Sequence, residues 1–127
     1  MKAGALIALA AALATALLAA PTALAKRDDD VRVWGTCTGG STVKLKLSEE
    51  DGGIEVELEV DQNRNGVRWS VAIWRNGTLA VRTARVTKAP SGSFELRIVT
   101  PDRPGTDRFV GRATSPSGEV CTARASF

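Results

Sequence analysis

Apolar and polar residues alternate along most of the chain beyond residue 30, and this period of two constrains the fold more than any other feature. In a β-strand, successive side chains point to opposite faces, so such alternation predicts strands with one buried and one exposed face. The pattern is clearest over residues 43–47, 54–60 and 67–74. No segment of residues 26–127 has the apolar spacing of a helix. The sequence therefore predicts an all-β domain.

Short turn sequences separate the alternating runs. They are rich in Gly, Pro, Asn and Asp, the residues that favour tight turns. The breaks include Asp51-Gly52-Gly53, Asn65-Gly66, Asn76-Gly77, Pro90-Ser91-Gly92, Pro104-Gly105 and Pro116-Ser117-Gly118. Further strands are predicted over residues 31–38, 79–87, 93–99, 107–114 and 119–126. About seven or eight short strands at this spacing indicate an antiparallel β-sandwich.

The first 25 residues have the features of a cleavable signal peptide. Lys2 supplies a positive charge, residues 5–20 form an uncharged run rich in Ala and Leu, and Ala23-Leu24-Ala25 fits a small-x-small cleavage site. The run of 16 residues is shorter than the roughly 20 needed to span a bilayer. We therefore expect a soluble, secreted protein with no membrane span after processing. An uncleaved leader that anchors the chain is the alternative.

Removal of the leader would leave roughly 100 residues, enough for one small domain. Residues 26–30 (KRDDD) are all charged, and we interpret them as a disordered lead-in to a domain over residues 31–127. A domain of this size is only marginally stable without a cross-link. In an exported chain, Cys37 and Cys121 predict a disulfide between the two ends of the domain. Two free thiols or two metal ligands are the alternatives, which an oxidising compartment disfavours.

The composition argues against several classes of function. Without Lys2 of the leader, the chain holds 16 basic and 14 acidic residues, and this balance of +2 is too small to argue for nucleic-acid binding. The chain contains no His and no Tyr, and both cysteines are expected to be bonded. Histidine triads, histidine metal sites and cysteine nucleophiles are thereby excluded, and most carboxylates fall at exposed strand positions unsuited to acid–base catalysis. We expect a protein that is not an enzyme and has no cofactor.

Acidic and basic residues form separate blocks. Residues 49–61 hold seven acids and no base, and residues 64–88 hold six bases and no acid. Hairpin turns over residues 48–53 and 61–66 would explain both blocks, because they would bring opposite charges together across neighbouring strands. The pairs expected are Lys46–Glu55, Lys44–Glu57 and Glu59–Arg68. An acidic or basic docking face is the alternative.

The Asn76-Gly77 pair predicts another hairpin. A two-residue loop would place Arg82 opposite Val71, on the core side of the sheet. A three-residue loop over residues 75–77 with a G1 bulge instead pairs apolar residues with each other. The pairs expected are Val71–Val81 and Ile73–Leu79. We favour this second register, which leaves Trp74 on the outer face.

Trp74 is the centre of the candidate binding patch. The patch consists of Trp74, Arg68, Arg75 and Arg82. An aromatic ring among arginines can stack on a sugar or receive an anionic polymer. In the alternative interpretation, Trp74 covers a sheet edge or lies under a loop, and the arginines are merely solvated. Four further aromatic residues are assigned to the core: Trp34, Trp69, Phe94 and Phe109.

One segment resembles the first half of a calcium-binding loop. Asp61, Asn63 and Asn65 supply oxygen atoms at alternate positions, and Gly66 occupies the sixth position. The twelfth position should be a bidentate Glu, but it is Ala72. Asn and Gly in a turn explain the segment without a metal. We keep Asp61, Asn63 and Asn65 as a weak calcium candidate and predict no metal site.

Residues 90–121 resemble the closing half of bacterial immunoglobulin-like repeats. In those repeats Gly-x-Phe begins an alternating strand, and Pro-Gly-Thr precedes the next one, which ends in a Gly turn. The matching positions are Gly92, Phe94, Pro101, Pro104, Gly105, Thr106 and Gly118. The chain departs from the pattern where Asp107 and Arg108 precede Phe109, since the family usually has an aromatic residue sooner. The Ala-rich leader and the overall layout also resemble small exported actinobacterial proteins.

The resemblance implies an immunoglobulin-like β-sandwich that serves as a non-catalytic spacer or binding unit, and it implies no particular site. We expect a monomeric secreted module, structural or binding an extracellular protein or a cell-wall polymer. An inhibitor of a secreted hydrolase is the alternative, with residues 101–106 as the inserted loop. Inhibitors usually brace such a loop with a nearby disulfide, which the predicted bridge does not provide.

Overall fold

The computed structural model describes Gly4 and residues 30–127, and this part of the chain forms nine β-strands. The strands are β1 (Val31–Trp34), β2 (Thr36–Cys37), β3 (Thr42–Glu50), β4 (Gly53–Asp61), β5 (Arg68–Arg75), β6 (Thr78–Val86), β7 (Ser93–Pro101), β8 (Arg108–Thr114) and β9 (Val120–Ser126). The predicted signal peptide (1–25) lies outside the described residues except for Gly4. Within the described part, no helix is long and apolar enough to cross a membrane.

The strands form two antiparallel sheets, which confirms the predicted sandwich. One sheet has four strands in the order β1-β3-β4-β7, and the other has five in the order β2-β9-β8-β5-β6. The predicted strand over residues 31–38 is divided at Gly35, where the chain passes from the first sheet to the second. A Cβ atom at Gly35 would lie 2.1 Å from the carbonyl oxygen of Thr122. Only glycine allows the backbone to approach this closely.

The core lies between the sheets and takes one face of each strand. Alternate residues of β3 and β4 are fully buried, as period two requires. Trp69, Phe94 and Phe109 are buried as predicted, and the ring centroids of Trp69 and Phe94 lie 5.9 Å apart. The prediction for Trp34 was wrong, because its side chain is 66 % exposed. It takes an outward position of β1 opposite Lys44, whose ammonium lies 5.5 Å from the ring centroid.

The β3–β4 hairpin has a tighter turn than predicted. Asp51 (φ 45°) and Gly52 (φ 79°) form a two-residue turn, and Glu50 pairs with Gly53. Positive φ at both positions matches the twist of the adjoining strands. The register differs by two residues from the prediction: the observed pairs are Ser48–Glu55, Lys46–Glu57 and Lys44–Glu59. Opposite charges still meet across the strands, but with different partners.

The segment between β4 and β5 is not a hairpin, so the predicted Glu59–Arg68 pair was wrong. Residues 62–67 carry the chain from the four-stranded sheet to the five-stranded one. Glu59 lies between Lys44 on β3 and Glu95 on β7. After β4, the chain could either turn back within the same sheet or cross to the other sheet. The alternating pattern of β5 is the same in both cases, so the sequence did not distinguish the two routes.

The β5–β6 hairpin also differs from the predicted register. Asn76 (φ 49°) and Gly77 (φ 81°) form a two-residue turn, and a β-bulge between Ile73 and Trp74 shifts the pairing. Ala80 is the additional residue of the bulge, as the pairs Trp74–Leu79 and Ile73–Val81 leave it without a partner. The expected Val71–Val81 and Ile73–Leu79 pairs were therefore wrong. The bulge keeps Arg82 off the core face of the sheet, as the predicted three-residue loop would have done.

The predicted disulfide is present. Cys37 on β2 and Cys121 on β9 are bonded, and their Cα atoms lie 4.0 Å apart. Next to them, the Glu119 carboxylate accepts hydrogen bonds from the backbone N–H and the hydroxyl of Ser41 (3.0 and 2.6 Å). Asp30, predicted to lie in a disordered lead-in, forms ion pairs with Arg32 and Lys46; residues 26–29 lie outside the described part. The start of the domain is thus held at several points.

Candidate binding face on the five-stranded sheet

The outer face of the five-stranded sheet carries arginines without carboxylates. Strands β5, β6, β8 and β9 contain no Asp or Glu. Their exposed arginines on this face are Arg68, Arg82, Arg108, Arg112 and Arg124. Together with Trp74 they define what we call the arginine face. With positive charges and no acid on these strands, the face has a positive potential.

The four-stranded sheet has the opposite arrangement, in which acids and bases pair with each other. Lys44 lies 3.8 Å from the Glu59 carboxylate, and Arg97 contacts Glu50 at 3.2 Å and Glu55 at 3.0 Å. The Arg97 hydrogen bond holds the pKa of the Glu55 carboxyl below its usual range. The strands of this sheet hold seven acids and four bases, so its charge is compensated only in part and its net charge is negative. The expected blocks of charge thus separate between the two sheets, and only the five-stranded sheet has arginines and no acid on any of its strands.

A shallow depression of about 330 Å³ lies in the arginine face. Ala72 forms its floor, and the two cross-strand neighbours of Ala72 are Arg82 on β6 and Arg112 on β8. Trp74, one row further along β5, lines it as well. Ala72 is only 8 % exposed although it points outward, because the longer side chains around it rise above it. The hydroxyls of Ser70 and Thr114, which lie on the same face as Ala72, complete the polar lining.

The arginines at the depression have free donors. Neither Arg82 nor Arg112 forms an ion pair or a side-chain hydrogen bond with any residue among 30–127. Both side chains are exposed. A guanidinium presents five N–H donors in a fixed plane, which suits carboxylate and phosphate groups. The site is therefore prepared to receive an anion without first breaking an internal contact.

The structure brings together part of the predicted patch. Trp74 and Arg82 meet in the depression, and Arg68 lies on the same face at the start of β5, opposite Val86. Arg75 does not belong to it: it is 7 % exposed and lies on the inner side of the sheet. Adjacent residues of a strand point to opposite faces, so Arg75 cannot share the face of Trp74.

Arg75 instead forms a buried ion pair. Its Nε lies 3.0 Å from Oδ1 of Asp107, a residue that is 3 % exposed. It also donates to the carbonyl oxygen of Pro101 (2.5 Å), and its guanidinium carbon lies 5.8 Å from the Phe109 ring centroid. The Asn76 amide donates to the same Asp107 oxygen (3.1 Å). These contacts tie the β5–β6 turn to the segment before β8, which is a structural role.

Sequence reasoning missed Arg112. It belongs to the alternating run of β8, where Arg108, Val110, Arg112 and Thr114 point outward. The alternation alone would have placed Arg112 on an outer face. Pairing of β8 with β5 then brings Arg112 beside Ala72, and this pairing joins residues 40 positions apart. No local signal predicts such a contact.

The calcium candidate forms a turn. Asp61 Oδ1 accepts the backbone N–H of Asn63 at 2.9 Å, and Asn63 has φ 55°. Both features are typical of Asx turns, in which the side chain replaces a backbone partner. Within the described residues, the acids and cysteines that cluster closely are Cys37, Cys121 and Glu119, and the two sulfurs of this group are bonded to each other. The arginine face remains the best-defined candidate site.

The groups on the arginine face are suited to recognition. Guanidinium donors bind carboxylates and phosphates, an indole ring stacks on apolar or sugar surfaces, and hydroxyls add directional hydrogen bonds. Comparison with known protein families and with curated proteins yields no match to this chain. The functional argument therefore rests on the geometry of this face.

Proposed function

We propose that the protein is a secreted, non-catalytic β-sandwich module that binds an extracellular or cell-envelope partner through the arginine face. The observation that carries the proposal is the depression at Ala72, where Trp74 meets two arginines that have no partner among residues 30–127, on a face whose strands contain no carboxylate. Exposed charges of one sign normally acquire partners or are interspersed with the other sign. A face that keeps five arginines without an acid is best explained by an anionic partner.

Secretion is supported by two features. The first 25 residues have the charge, apolar run and small-x-small site of a signal peptide. The Cys37–Cys121 bond is of a kind that persists in oxidising compartments and is rare in the cytosol. The antiparallel sandwich is compatible with the immunoglobulin-like resemblance of residues 90–121, and we include that relationship in the proposal.

Capture from an envelope fraction tests the proposal. The full chain would be immobilised, exposed to extracellular and cell-wall fractions, and compared with Trp74→Ala. Trp34→Ala is the matched control, because Trp34 is an exposed Trp on the opposite sheet. We expect a retained component that Trp74→Ala loses and Trp34→Ala keeps. Equal retention by both variants, with both folded, would remove the arginine face from consideration.

A hydrolase inhibitor is the second candidate, and one observation favours it. Residues 101–106 are all exposed, while the base of this loop is held by the hydrogen bond from Arg75 to the Pro101 carbonyl. An anchored base with an exposed loop is what an inhibitor needs to present a stable shape. Incubation of the full chain with secreted proteases tests it, since an inhibitor must slow at least one of them.

A further inference from the structure

We infer that the arginine face recognises an acidic polysaccharide, in which one sugar ring lies against Trp74 and its carboxylates meet Arg82 and Arg112. The inference rests on the proposed function, because it names the partner class for the same face. It combines three properties of the depression: its size, the spacing of its arginines and the scarcity of apolar surface around it. Each property excludes a different class of partner.

The size and lining of the depression fit one ring-sized group. Its volume of about 330 Å³ lies at the lower end of the range for ligand sites. Trp74 provides an aromatic wall, and the hydroxyls of Ser70 and Thr114 provide donors and acceptors beside it. An aromatic surface next to hydroxyl groups suits a sugar, which has an apolar ring face and hydroxyls at its edge. A bare inorganic anion would leave Trp74 without a role.

The arginines are spaced for a chain that carries repeated charges. Arg82 and Arg112 lie on strands either side of β5, so their backbones are about 10 Å apart. Arg108 on β8, opposite Ser126 on β9, continues the positive track beyond the depression. A single small anion could engage at most part of this track. A linear polymer with an acid group on successive units would engage several arginines at once.

The surroundings of the depression disfavour a folded protein as the partner. The centres of protein interfaces are enriched in buried aromatic and apolar groups and depleted in charge. On this sheet, the large apolar residues that the described structure exposes are Leu79 (44 %) and Val86 (37 %), and both lie on the edge strand β6. Among residues 30–127, Trp74 is the sole aromatic residue of the arginine face. Several positive charges and a single aromatic ring favour a polyelectrolyte as the partner, because its binding depends on ionic attraction.

Three small probes test the inference by titration calorimetry on the full chain. A galacturonate trisaccharide has the sugar ring and the charge, maltotriose has the ring alone, and tripolyphosphate has the charge alone. We expect the galacturonate to bind at least about tenfold more tightly than either of the others. Equal or tighter binding of tripolyphosphate would show that charge alone suffices, and equal binding of maltotriose would show that the acid groups are not used. Either result, or no binding of galacturonate, overturns the inference.

Matched variants locate the binding. Trp74→Ala and Arg112→Gln are each expected to weaken galacturonate binding by about tenfold, and Arg82→Gln repeats the test of Arg112 on the other side of Ala72. The controls are Trp34→Ala and Arg97→Gln, an exposed Trp and an exposed Arg of the opposite sheet. We expect both controls to bind like the unaltered chain. Loss of affinity in the controls, or none in the three face variants, would overturn the inference.

Failure of the inference can be told apart from failure of the proposed function. If galacturonate does not bind but capture from an envelope fraction still depends on Trp74 and not on Trp34, the acidic polysaccharide is wrong and the binding face stands. If capture is also insensitive to Trp74, the binding face itself is wrong. The two measurements use the same variants, so they can be compared directly.

Discussion

Cys37 and Cys121 lie directly opposite each other on neighbouring strands of one sheet, and their bond does not cross the core between the sheets. The bond joins the short strand β2 to β9, which is close to the last described residue. Since β2 is only two residues long, its own ladder contributes little to holding it in place. The disulfide therefore fixes the beginning of the domain to its end.

Loss of this disulfide should remove a large part of the stability. The two cysteines are 84 positions apart, and closing a loop of that length stabilises a fold by about 4–5 kcal/mol in the chain-entropy model. The expected result for Cys37→Ala/Cys121→Ala is a free energy of unfolding lower by about 4 kcal/mol. Urea unfolding of the oxidised chain and the double variant measures it. A difference below about 1 kcal/mol would show that the ends are held by other contacts.

Gly35 should not tolerate a side chain. A Cβ atom there would lie 2.1 Å from the Thr122 carbonyl oxygen and 2.8 Å from Ala123. Relief would require β1–β2 to move away from β9, at a cost of about 3 kcal/mol or more. Gly40→Ala is the control, because a Cβ atom at Gly40 has no neighbour within 4 Å. Thermal unfolding should show a large loss for Gly35→Ala and almost none for Gly40→Ala; equal melting temperatures would contradict the sheet-switch geometry.

Breaking the buried Arg75–Asp107 pair should destabilise the fold without removing a binding residue. Replacing Asp107 by Leu leaves the Arg75 guanidinium buried without its carboxylate, and such losses typically cost about 3–5 kcal/mol. The double variant Arg75→Met/Asp107→Leu should lose less, because no unpaired charge remains. A double-mutant cycle by urea unfolding measures the coupling. Additive losses would show that the two residues do not act as a pair.

Acid should selectively weaken the Glu55–Arg97 contact. The Arg97 hydrogen bond lowers the pKa of Glu55, while a hydrogen bond with Glu55 raises the pKa of Glu50. Because the pKa of Glu55 is lower in the folded state, its ionised carboxylate stabilises the fold at any pH above the ordinary pKa of a glutamate, about 4.3. This stability is lost as the pH falls through the lower pKa of the folded state. Arg97→Gln should therefore be less stable than the unaltered chain at pH 7, and the difference should shrink as the pH falls below the ordinary glutamate pKa.

Urea unfolding over that pH range measures the effect, and Arg112→Gln serves as the control. Arg112 has no carboxylate partner within residues 30–127, so its replacement should give a difference that does not change with pH. A pH-independent difference for Arg97→Gln would mean that the contact to Glu55 contributes nothing in solution.

The sandwich could be predicted from the sequence because its strands are amphipathic. Alternation over β3, β4 and β5 defined both their extent and their buried face. The register between the strands was harder to predict, since it depends on turn geometry. The Asp51-Gly52 and Asn76-Gly77 turns are both two residues long with positive φ, and the bulge at Ala80 that corrects the second register leaves no trace in the local pattern.

The candidate site could be predicted only in part. The alternation of side chains along a strand correctly placed Trp74 and Arg82 on the outer face. The same alternation would also have placed Arg75, which follows Trp74, on the inner face. The missing information was which strands become neighbours. The contacts of Arg75 with Asp107 and of Ala72 with Arg112 join residues more than 30 positions apart, and charge patterns along the chain do not encode such pairings.

The most direct test of the binding face is an NMR footprint of the bound acidic trisaccharide on the full chain. Backbone amide shifts would be followed as galacturonate trisaccharide is added. The account predicts that the largest changes cluster around Ser70, Ala72, Trp74, Arg82 and Arg112, with little change in β3, β4 and β7. Changes centred on the four-stranded sheet or on residues 101–106 would contradict it.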